Sequence, residues 1–186
     1  MPSMATIPNP DKGLHQLAEA CALKLGNTEL SVAERCLAAQ QLRPLISIIL
    51  LPNARAEQED RHKCLHTIVE EITQAILSLL DLGHSFRFAD AKVNLDLAYD
   101  LMRTLDELAS SDTIAIVDKA PLIEAAEILI EPALRTAVRL TDPDRVECVC
   151  NVEIGLGFSA MSIALRASAI VTAKSRELRE ASITIH

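Results

Sequence analysis

The sequence predicts an all-α protein: a multi-helix bundle of about six to seven helical segments, several of them Pro-kinked, with a largely buried C-terminal helix. Three observations carry this. Apolar residues recur at steps of three and four along almost the whole chain, the spacing that places side chains on one face of a helix. Helix-starting and helix-stopping residues bound those runs. Hydrophobic residues make up 49% of the 186 while aromatics make up only 2%, so the core is aliphatic and suited to close packing of helical ridges.

Residues 1–10 carry Pro2, Pro8 and Pro10 and no charged side chain, which predicts a flexible N-terminal arm ahead of a single domain spanning 11–186. The first helix runs from Asp11 to Leu25, with Leu14, Leu17, Cys21 and Leu25 on one face. Gly26 is its expected left-handed cap. Ser31-Val32-Ala33-Glu34 has the form of a capping box and opens the second helix. Pro44 interrupts that helix. Leu45–Leu51 then reads as a kinked extension, a fresh helix or a buried strand, and helix is preferred because no strand partner is evident.

Pro52-Asn53 is a break. The third helix runs from about Ala56 to Leu82, with Glu57, Glu59 and Asp60 at its positive end. Its core stripe is Leu65, Ile68, Val69, Ile72, Ile76, Leu79 and Leu80, and Gly83 caps it. Asp90 is the expected cap of a fourth helix reaching about Ala109, whose apolar face is Leu95, Ala98, Leu101, Met102, Leu105 and Leu108. Ser110-Ser111-Asp112 marks a turn. Pro121, Pro132 and Pro143 then recur every eleven residues, which predicts short helical pieces separated by kinks. Asp142-Pro143 is a start signal for the last helix, read from Val146 to about Glu180. That helix has two apolar sides. One carries Ile154, Phe158, Met161, Leu165 and Ala169. The other carries Val149, Val152, Leu156, Ala160, Ile163, Ala167 and Ile170. Glu153 and Arg166 interrupt the apolar run, so no membrane span is expected.

Composition excludes some function classes. Eighteen Lys and Arg against 26 Asp and Glu give a net charge of −8, the wrong sign for general nucleic-acid binding. Aromatic residues are too few for base-stacking platforms. The five cysteines, Cys21, Cys36, Cys64, Cys148 and Cys150, are odd in number and lack the spacings of redox or zinc motifs, so they read as small buried hydrophobes of a reducing, cytoplasmic setting. No nucleophile elbow is present, and the Gly155/Gly157 pair lacks the third glycine and preceding strand of a dinucleotide loop.

Two residue sets remain as candidates. Glu59, His62, His66 and Glu70 share one helical face, with the two histidines at the i,i+4 spacing that chelates a metal. Glu59 and His62 have the Glu-x-x-His spacing of carboxylate-bridged metal bundles, but the second such motif those bundles require is missing. A solvent-facing flank explains the same pattern. Ile154, Phe158, Met161, Leu165 and Arg166 form the candidate interaction surface, with Arg166 able to pair with an acid of another helix or meet an anionic ligand. No catalytic set is assembled. The expected function is therefore a non-enzymatic protein-interaction or regulatory module acting by helix-on-helix association, without a cofactor, with a protein partner or a second copy (a homodimer). The alternative is a helical bundle that binds a metal or small ligand through His62 and His66.

Overall fold

The computed structural model describes the backbone of residues 10–51, 58–81, 88–141 and 151–184, and side chains within 13–51, 60–81, 90–116, 118–141 and 155–180. The arm read over 1–10, Gly83, Asp142-Pro143, Val149, Cys148 and Cys150 lie outside the described residues, apart from Pro10, which starts the first helix.

Among the described residues the chain forms six helices: α1 (Pro10–Gly26), α2 (Val32–Ile49), α3 (Gln58–Leu80), α4 (Phe88–Ser110), α5 (Ala120–Thr141) and α6 (Asn151–Thr184), with a 3-10 turn at Ile116–Lys119. There is no strand among the described residues. The helices stack as three hairpin pairs. α1 packs on α2, α3 on α4 and α5 on α6, while α1 also packs on α3, α3 on α5 and α4 on α6. The arrangement is two rows of three, with α3 and α4 in the middle layer and α5–α6 as the most extensive contact.

The stripes read from spacing form the core. Ile68, Ile72, Ile76, Leu79 and Leu80 of α3 and Leu95, Ala98, Leu101, Met102, Leu105 and Leu108 of α4 are buried. At about 1.5–3 kcal/mol for each large aliphatic side chain, this burial dominates the stability of the middle layer.

Local signals explain the ends. Ser31 accepts a hydrogen bond from the Glu34 amide, and the Glu34 carboxylate accepts one from the Ser31 amide, completing the capping box. Leu45–Ile49 is helix: α2 runs unbroken through Pro44 and ends at the Leu50 cap. A proline inside a helix costs about 3 kcal/mol. Leu42, Ile46 and Ile49, buried on both sides of it, offset more than that, and Pro44 itself is exposed.

The segment expected as short pieces between Pro121 and Pro143 is instead one continuous helix as far as Thr141, α5. Pro121 falls in its first turn, where the missing N–H has no helical partner to lose. Pro132 lies mid-helix, but Ala126, Leu129, Ala133, Ala137 and Leu140 are buried on both sides of it and hold the axis together. Asp90 likewise lies inside the first turn of α4, which begins two residues earlier at Phe88.

Gly26 corrects another expectation. It is the last residue of α1 and its backbone is not left-handed; the Glu71 carboxylate of α3 lies over the position a Cβ would take. Arg35 joins the same region. It is buried, and its guanidinium donates to the Leu25 carbonyl at 2.9 Å, the Ala75 carbonyl at 3.2 Å and the Ser78 hydroxyl at 2.7 Å. One α2 side chain thereby satisfies a carbonyl at the C-terminal end of α1 and ties α3 to both.

Candidate functional site

Helix α6 has two apolar sides, and the bundle uses only one. Leu156, Ala160, Ile163, Ala164, Ala167 and Ile170 are buried against α4 and α5. The other side faces out: Phe158 is 67% exposed and Leu165 64% exposed, with Met161 half-buried between them. The side chain of Ile154 lies outside the described residues. By length and composition α6 is the one helix among the described residues that could cross a membrane, from Gly155 to Glu180. Core helices of bundles meet the same criterion, and α6 packs along α4 and α5.

Helix α5 contributes to the same outer surface. Gly157 approaches Thr141 and Ala137, which fixes the register of the α5–α6 hairpin. Val138 is 64% and Leu134 38% exposed. Phe158 and Leu165 of α6 and Leu134 and Val138 of α5 thus make a strip of exposed large apolar side chains on two helices that pack together.

Arg166 does not belong to that strip. Its guanidinium turns toward α4, donating to the Asp106 carboxylate at 2.9 Å and to the Tyr99 hydroxyl at 3.1 Å, with its central carbon 5.3 Å from the Tyr99 ring centroid. The acid of another helix is thus its partner. Three further acids of α4 make exposed surface pairs, Asp96 with Lys92, Asp100 with Arg103, and Glu107 with Arg43 and Arg103, each worth about 0–1 kcal/mol.

The histidine face occupies a second feature. His62 and His66 line a cleft of about 240 Å³ between α3 and the 3-10 turn. Its floor is apolar, formed by Val69, Leu108, Ile114 and Leu122, all buried. Its rim is polar: Arg61, His62 and His66 on one wall, Asp118 on the other. The His62 Nδ1 lies 3.7 Å from the Asp118 Oδ1. Arg61 donates to the Thr113 carbonyl at 2.6 Å, and both residues line the cleft. Glu70 is exposed and takes no part in the lining, and the side chain of Glu59 lies outside the described residues. Among the described residues, no group of three or more His, Cys, Asp or Glu side chains is placed to hold a metal ion.

Asp118 and its neighbour Lys119 are the residues that sequence reasoning missed. They sit in a short 3-10 turn with no periodicity to mark it. Lys119 is buried. Desolvation, reinforced by nearby Lys174, lowers its pKa, while Glu177 opposes the shift. Glu177 is itself paired with Lys174 at 2.9 Å.

Comparisons with protein-family models, curated proteins and solved structures find no match, so the functional reading rests on the geometry of this chain.

Proposed function

We propose that this protein is a non-enzymatic interaction module that associates helix on helix through the outer face of α5 and α6, with a second copy of itself as the partner. The observation that supports the reading is the exposed apolar strip: Phe158 and Leu165 on α6 beside Leu134 and Val138 on α5. Large apolar side chains gathered on one exposed face mark a contact surface, where scattered single ones do not.

The spacing points to a helix as the occupant. Ile154, Phe158, Met161 and Leu165 follow one another at steps of four, three and four, the alternation of the inward positions of a two-stranded helical seam. A face of this kind is self-complementary under a two-fold axis, because each Phe158 and Leu165 finds the same aliphatic surface on the other copy. With one Phe and no Trp or Tyr in the strip, its affinity comes from aliphatic area more than from an aromatic anchor. In this reading α6 is a bundle helix that completes its burial against protein, and not a membrane span.

Thermal unfolding at a series of protein concentrations tests this. A self-associating fold melts at a temperature that rises with concentration. The wild type should show that rise, and the Phe158→Glu, Leu165→Glu variant should not. A melting temperature independent of concentration in both overturns the reading.

A further inference from the structure

We propose that the cleft between α3 and the 3-10 turn binds a small organic carboxylate, its apolar body on the floor and its carboxylate at the Arg61 wall. This site is separate from the α5–α6 face and does not depend on association.

Size and lining set the class of ligand. A cavity of about 150 Å³ lined by aliphatic side chains holds a benzene ring. At about 240 Å³ this cleft has room for a ring or short branched chain with a polar head. The floor residues Val69, Leu108, Ile114 and Leu122 offer no hydrogen-bonding side chain, so the inserted part is apolar. A largely apolar concavity with a few convergent polar groups at its rim is the usual form of a small-molecule site.

The rim sets the head group. Arg61 is always charged and carries five N–H donors. Among the described residues its hydrogen-bond partner is one backbone carbonyl, that of Thr113. That bond ties the guanidinium to the cleft wall and leaves donors free for a two-oxygen acceptor. His66, one turn further along the same wall, adds an imidazole. The single carboxylate of the lining, Asp118, lies 3.7 Å from the His62 Nδ1 and is not among the hydrogen-bond partners of Arg61. A carboxylate completes this arrangement, and an amine head would meet Arg61.

Three probes with one ring and different heads separate the chemistry: benzoate, benzyl alcohol and benzylamine, titrated against the full chain by NMR with the His62 and His66 ring signals and the Ile114 methyls as reporters. Benzoate should move all three sets saturably and bind tightest. Arg61→Gln, a rim change that spares the core, should weaken benzoate about tenfold or more and leave benzyl alcohol unchanged. Ile114→Phe, which fills the floor, should weaken every ring compound. Equal or tighter binding of benzylamine, an unchanged benzoate affinity in Arg61→Gln, or no saturable shift in the folded wild type overturns the proposal.

Discussion

Gly157 of α6 sits so close to Thr141 of α5 that a Cβ added to it would lie 2.4 Å from the threonine Cγ2. The close approach of α5 and α6 at this point therefore depends on the absence of a side chain. Two residues earlier, a Cβ on Gly155 would meet nothing within 4 Å.

These two glycines respond to the same substitution with opposite signs. Gly157→Ala overpacks the contact, at a cost of about 1–3 kcal/mol, which exceeds the roughly 0.5–1 kcal/mol returned by replacing a mid-helix glycine. Gly155→Ala collects only the return. Urea unfolding should show the midpoint falling for Gly157→Ala and rising for Gly155→Ala.

Arg35 is the most consequential polar residue of the α1–α2–α3 junction. Arg35→Met removes three hydrogen bonds and leaves the Leu25 and Ala75 carbonyls without that donor. The expected loss is about 3 kcal/mol. Arg35→Lys should recover only part of it, because a lysine ammonium cannot reproduce the fork that reaches two helices. Denaturant midpoints of the two variants check the order.

Two carboxylates should shape the acid limb of the stability curve in opposite directions. Glu34 is held below its ordinary value by the Ser31 hydroxyl and amide. Its contribution is present above the unfolded-state pKa and is lost as pH falls through the folded one. Glu71 is pushed up by burial and by neighbouring Glu70. Its contribution is present below the unfolded-state pKa and is lost as pH rises through the folded one. Glu34→Gln should flatten the loss of stability on acidification, and Glu71→Gln should steepen it. Unfolding free energies across the carboxylate range read both.

Cys64 should be inert in the folded protein. It is fully buried, and burial, with a smaller contribution from Glu19, raises its thiol pKa to about 12. The thiolate is the reactive form. Peptide mapping after iodoacetamide at mildly alkaline pH should find Cys64 unmodified until denaturant is added, and Cys36, which is half-buried, modified first of the two.

The helical stripes of α3 and α4 were legible because a core-facing helix writes its burial into the spacing of its apolar residues. The capping box at Ser31 and Glu34 was legible because both partners lie within one turn. Features set by a second helix were not. Gly26 reads as a cap, yet what it accommodates is Glu71, forty-five positions away. Pro132 reads as a break because local sequence shows the lost hydrogen bond and not the burial on both sides that offsets it. The same limit applies to the candidate sites. The common face of His62 and His66 follows from spacing, but Asp118 reaches that face only through tertiary packing. The two apolar sides of α6 were both visible, and only the packing of α4 and α5 showed which one is buried.

The mass of the native protein in solution tests the association reading most directly. Light scattering on the eluting peak, for the wild type and for Phe158→Glu, Leu165→Glu, should give twice the chain mass for the first and the chain mass for the second, with equal helix content by circular dichroism. A wild-type mass equal to one chain at the highest attainable concentration, or a doubled mass that survives the double substitution, contradicts it.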